Sequence, residues 1–178
     1  HIGGAVDDNG TLAFPQARYV LPRAEWDFWS SKPERLQPND AYDEAFRQLC
    51  QTLPERRLAN LRETLELIDS GTEIVPGIRS IEAPCHTPGY TVIDISSGGE
   101  KLIYVGDLIY DPKDIEHADW YSVYDFDPKQ VVITRNRVFE SAVNEGALLM
   151  AYHVSFPGLG HISQRGSGWR WREFDTTK

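Results

Sequence analysis

Hydrophobic positions fall into three regimes along the chain. Residues 1–16 carry Gly, Asp and Pro with no sustained periodicity, so they read as a loop, with a short helical turn after Gly4. A β-rich run at 18–21 closed by Pro22 predicts a strand, and 24–31, with Trp26, Phe28 and Trp29, predicts a short helix. From 40 to 69, Ala45, Phe46, Leu49, Leu53, Leu58, Leu61, Leu65 and Ile68 recur at steps of three and four, the spacing of an amphipathic helix. Pro54 lacks an N–H and disfavours helical geometry before it, so that stretch should break in two.

Beyond Ser70-Gly71 the pattern turns alternating and β-branched. Residues 78–81, 91–95 and 101–105 predict strands, the last two joined through Ser96-Ser97-Gly98-Gly99-Glu100 as a hairpin. Asp127 and Pro128 open a helix that Val131, Val132, Thr134, Arg135, Val138, Phe139 and Val143 continue to Gly146. Residues 147–152 predict a buried strand and 166–174 a final one, with Pro157 to His161 as a turn between them. Strands alternating with helices indicate a single α/β, or α+β, layered domain over 1–178.

Composition narrows the function. The 178 residues are 40% hydrophobic, enough to bury a core. Eighteen Lys and Arg against 27 Asp and Glu give a net charge of −9, which argues against nucleic acid or an anionic membrane as partner and leaves a small-molecule substrate. No apolar run approaches the roughly 18 residues that span a bilayer. A soluble chain is expected, without a choice between cytoplasm and a secreted or periplasmic location. Cys50 and Cys85 form no metal-binding or disulfide framework. The chain opens on His1 rather than Met, and His1-Ile2-Gly3-Gly4 reads as the middle of a motif, so the natural protein is expected to begin earlier.

The chemistry gathers at strand ends. His1, His86, His153 and His161 lie at ends of predicted strands or in Gly/Pro-rich loops, and Asp107 follows Gly106 straight after an apolar strand. Side chains at strand ends converge on one rim of a sheet, where imidazole nitrogen and carboxylate oxygen suit Zn²⁺ and related ions. The chain has no G-x-S-x-G nucleophile elbow.

Pro84-Cys85-His86-Thr87-Pro88-Gly89-Tyr90-Thr91, Tyr104-Val105-Gly106-Asp107 and Tyr152-His153 resemble three successive metal motifs of the metallo-β-lactamase superfamily, and His1-Ile2-Gly3-Gly4 resembles the end of its first motif. Phe126-Asp127-Pro128, Thr134-Arg135-Asn136-Arg137 and Phe156-Pro157-Gly158-Leu159-Gly160-His161-Ile162 are similar to the branch that holds methyl parathion hydrolase-like enzymes and lactonases. The resemblance implies an αββα sandwich, incomplete at its N-terminus, with two divalent metals, zinc expected, at one edge of the sheets. It implies that His86 binds the first metal, His1 and His153 the second, and that Asp107 bridges them as the central catalytic residue. Three further ligands of that pattern would precede His1.

The function so implied is hydrolysis of a lactone, ester or phosphotriester by a metal-bound hydroxide. Two alternatives stay open: a truncated, incompetent fragment or partner-completed domain, and a thioesterase-type hydrolase of the same fold. A homodimer is also open. His161 is expected to support the site by hydrogen bonding rather than ligation, and Trp120 and Tyr121 to border the substrate pocket. Cys85 stands where the family usually has glycine and reads as a small buried thiol, and Tyr90 as a packing or hydrogen-bonding residue. Asp111, Asp114, Glu116 and Asp119 read as solvated surface, and Arg135 and Arg137 as fold-supporting ion-pair partners.

Overall fold

The computed structural model describes residues 2–7, 9–31, 45, 48, 52, 58–166 and 168–175. They form two compact units, His1–Asp69 and Ser70–Lys178. His1, Cys50 and half of the expected 40–69 helical stretch, all of that half before Leu58, lie outside the described residues.

In the first unit a 3₁₀ turn, Ile2–Ala5, precedes strand β1 (Tyr19–Pro22) and helix α1 (Arg23–Ser30), close to the predicted strand and helix. The end of the 40–69 stretch is a correction. Leu65–Ile68 is not helix but strand β2, pairing in parallel with β1 from Tyr19 opposite Leu65 to Pro22 opposite Ile68. The Leu61 carbonyl accepts both the N–H and the hydroxyl of Thr64, which ends the helical turn there. Leu65-Glu66-Leu67-Ile68 is then a four-residue run that fits either period, and the neighbouring strand decides it. Arg18 joins Glu66 beside this pair, 2.6 Å apart.

The second unit is built on a seven-stranded sheet in sequential order: β3 (Glu73–Val75), β4 (Ile78–Glu82), β5 (Thr91–Ser97), β6 (Glu100–Gly106), β7 (Leu148–Ala151), β8 (Leu159–Arg165) and β9 (Gly168–Glu173). Neighbours are antiparallel except β6 and β7, which run parallel. The β5–β6 hairpin turns on Gly98 and Gly99, both with positive φ (60° and 86°), as a two-residue turn with a matching twist requires. The parallel pair needs a crossover, and α2 (Pro112–Glu116) and α3 (Pro128–Glu145) supply it.

Asp127 caps α3 as predicted, its carboxylate accepting from the N–H groups of Lys129 and Gln130, and Gly146 ends it in the left-handed conformation. One face of α3, with Val131, Val138, Phe139 and Ala142, packs with Val92, Ile103, Val105, Leu149, Ala151 and Ile162 from alternate positions of the strands. The Phe139 ring meets Trp169 edge-on, 5.7 Å between centroids.

Three readings change in this unit. His161 is not in a turn but on β8, opposite Arg172, because the chain reverses at Ser155–Gly158 and pairs from Leu159 onward. Asp111 and Asp114 are not simply solvated: they form a reciprocal capping box at the start of α2. The contacts of Arg135 and Arg137 go to carbonyl oxygens rather than to carboxylates, Arg135 to those of Leu108, Ala118 and Trp120, Arg137 to that of Glu82.

Candidate metal centre

Parallel pairing of β6 and β7 sends both strands toward the same edge of the sheet, and the residues just past their ends are Asp107 and His153. Their side chains meet: His153 Nε2 donates to Asp107 Oδ1 at 2.9 Å. His86, beyond β4, comes to the same rim with Nε2 3.9 Å from Asp107 Oδ2, too long for a hydrogen bond. The three sequence-singled residues His86, Asp107 and His153 are thus brought together. Asp107 is 7% exposed, while the two imidazoles keep a partly open edge.

His86 is held by its loop and by its other nitrogen. Ala83 donates to the Tyr90 carbonyl and Tyr90 to that of Thr87, closing the 83–90 segment on itself. The Phe126 and Asp127 N–H groups donate to the carbonyls of His86 and Cys85, and the Thr134 hydroxyl donates to that of Pro84 at 2.6 Å. Nδ1 of His86 lies 2.7 Å from the Tyr110 hydroxyl and 3.4 Å from Asp125 Oδ1. Such a partner fixes ring orientation and leaves Nε2 turned toward Asp107. The Tyr110 ring also stacks on His153, with centroids 5.3 Å apart and planes at 24°.

Asp107 is set by its backbone. Its N–H donates to the Tyr90 hydroxyl at 2.5 Å, and that hydroxyl donates in turn to the Val105 carbonyl at 2.9 Å. Between them Gly106 has φ +50°, and a Cβ there would sit 2.3 Å from the Tyr90 oxygen, so neither backbone nor space admits a side chain. Burial, with the charge of Asp107 added, raises the Tyr90 phenol above its ordinary range. Burial does the same to Tyr110, helped by Asp125 and Asp107, so both phenols keep their protons at neutral pH. Cys85 is buried and its thiol is pushed up to about 12, chiefly by burial, which makes it a small core residue, as expected of it.

Tyr110 and Asp125 are functional candidates that the sequence reading passed over. Tyr110 sits three residues after Asp107 in an apolar run, and Asp125 two before a helix cap, positions that carry no pattern of their own. Of the other singled-out residues, His161, Trp120 and Tyr121 lie elsewhere in the second unit. His161 has its ring 6.4 Å from Phe174. Trp120 stacks on His117 at 4.3 Å, and it and Tyr121 are exposed.

Among the described residues no three His, Cys, Asp or Glu side chains close into a ready metal-binding group: Asp107 and His153 are joined by their own hydrogen bond, with His86 standing off. The donor chemistry nevertheless fits a divalent ion of the zinc class, with two imidazole nitrogens, a carboxylate, and an oriented outer partner on one imidazole.

No protein-family model and no curated protein sequence matches the chain. Solved structures do. AidC, a dizinc quorum-quenching lactonase in complex with the product N-hexnoyl-L-homoserine, aligns at TM-score 0.91 and 30% identity over 100% of this chain and 62% of its own. Hydrolase AbOPH of the beta lactamase superfamily aligns at 0.82 and 23% identity, over 100% and 62%. A probable metal-dependent hydrolase from Staphylococcus aureus aligns at 0.74 and 22%, over 99% and 60%. The chain carries the fold of the metallo-β-lactamase superfamily. It spans about three fifths of the length of each of these metallo-β-lactamase-fold relatives. The expected fold class is therefore met. No described helix is long and apolar enough to cross a membrane.

Proposed function

We propose that this chain belongs to a metal-dependent hydrolase that cleaves a small lactone, ester or phosphotriester, with His86, Asp107 and His153 as ligands of two divalent cations, zinc expected. His1, outside the described residues, is assigned to the second cation beside His153. The observation that carries the reading is the rim itself: Asp107 between two imidazoles, one of them oriented from behind by Tyr110 and Asp125. The likeness to a dizinc lactonase over the whole of this chain supports it.

Bound divalent cations would supply an activated water near neutral pH and polarise the substrate oxygen. The chain's own residues do the rest. Asp107, held through its N–H by Tyr90, bonds His153 and stands between the two imidazoles. Tyr110 and Asp125 fix the face that His86 presents. The Tyr110 phenol, protonated at working pH, keeps a hydrogen-bond donor at the rim. Trp120 and Tyr121 are assigned to the apolar part of the substrate and His161 to support from β8.

The test is metal content together with hydrolysis of a panel of acyl-homoserine lactones, aryl esters and phosphotriesters, with thioesters as controls. Asp107→Ala should lower kcat/KM by about 100-fold or more and reduce bound metal, because a shared carboxylate serves both ions. An Asp107→Ala protein with full activity and metal content would sink the assignment. Turnover confined to thioesters would redirect the substrate class.

A further inference from the structure

Between Asp107 and Asp125 the chain leaves the sheet edge and returns, and one side chain from α3 bonds to both halves of the excursion. Arg135 is fully buried. Its Nε donates to the carbonyl of Leu108, the residue after Asp107, at 3.0 Å. Its Nη1 donates to the carbonyls of Trp120 at 2.5 Å and Ala118 at 3.5 Å. Nη2 has no hydrogen-bond partner among the described residues. Tyr110 rides inside the span so tied, with its hydroxyl on His86 and its ring on His153.

The span has a capping box of its own and buries Leu108, Ile109, Ile115 and Ala118 in the core, but its regular structure is slight. Its helix, α2, is five residues long, far below the length at which a helix is stable alone. A guanidinium is a rigid, planar fork, so acceptors at both ends of the span are fixed relative to one another and to α3 in a way that a flexible ammonium cannot reproduce.

We propose that Arg135 is a positioning residue that fixes the Leu108–Trp120 span against α3 and thereby holds the Tyr110 hydroxyl on His86. The kinetic part of this inference rests on the hydrolase reading; the structural part does not.

Arg135→Lys keeps the charge and removes the fork. Amide exchange over 109–119 should accelerate about tenfold or more, while β4 to β6 keep their protection. In a cycle with Tyr110→Phe, each single change should lower kcat on the substrate that the parent protein turns over, with KM little altered. Arg135→Lys should then cost little more once Tyr110 is Phe, since the two act through one contact. Unchanged exchange over 109–119, or additive losses in kcat, would overturn the proposal. Should Arg135→Lys not fold, the parent protein decides. There the Arg135 Nε–H and the amides of 109–119 should exchange through one common opening; amides that open far more readily than Nε–H overturn it. A parent protein that hydrolyses nothing in the panel defeats the hydrolase reading and leaves the exchange measurements to judge this one.

Discussion

Gly106 and Tyr90 act as a unit. The phenol bridges the Asp107 N–H and the Val105 carbonyl, which also accepts from the Leu108 N–H, and it occupies the space that any side chain at 106 would need. Tyr90→Phe should cost about 1–3 kcal/mol, chiefly by taking this acceptor from the buried Asp107 N–H, since the Val105 carbonyl keeps the Leu108 N–H. Gly106→Ala should cost at least about 1 kcal/mol for the left-handed backbone alone, and more for the clash. Because the clash is with the hydroxyl, Gly106→Ala should be less damaging in the Tyr90→Phe background than in the parent. Urea denaturation of the four proteins measures that coupling; simple additivity would mean the two residues are independent. Tyr90 was legible in sequence as a packing or hydrogen-bonding residue, but its service to Asp107 was not, because it depends on a pairing 17 positions away.

Helix α3 shows what sequence specifies well. Its start and stop are local chemistry: an aspartate whose carboxylate takes two N–H groups, a proline in the first turn, and a glycine past the end. Asp127→Ala should therefore cost about 1 kcal/mol of stability, read as a lower denaturation midpoint with an unchanged slope. An unchanged midpoint would mean that the cap is replaced by another acceptor. The β5–β6 hairpin was legible for the same reason, through Gly98-Gly99. Strands β2, β3 and β8 were not. The first two are short runs and β8 opens in a Gly/Pro-rich segment that reads as a turn, and each takes its form from a neighbour: β2 from β1, β3 from β4, β8 from β7 and β9.

At the scale of the molecule, the rim was legible and its supports were not. His86, Asp107 and His153 announce themselves by residue type and by strand-end position. Tyr110, Asp125 and Arg135 become functional candidates only when a crossover folds back, bringing Asp125 to His86 across 39 positions and Arg135 to Leu108 across 27. The buried groups behind the rim also shape stability against pH. A thiol raised to about 12 in the folded state binds its proton more tightly there than in the unfolded chain, whose thiol keeps the ordinary value of 9.0. Cys85 should therefore make the folded state progressively less stable as pH rises from about 9 toward 12, and Tyr90 and Tyr110 add to the loss at the upper end. Cys85→Ala should flatten the early part of that decline in unfolding free energy. A decline of the same slope in the variant would assign it to other groups.

The parallel β6–β7 pair also fixes when the rim can exist. Asp107 and His153 are 46 positions apart, and their strands cannot register until the whole intervening crossover has closed, a slow and entropically costly step. Until then the donors are scattered along a flexible chain and offer an ion no more than single, weak contacts. A cation bound by these residues would therefore be a late arrival, not a template: it would be expected to leave the rate of folding alone and to slow unfolding.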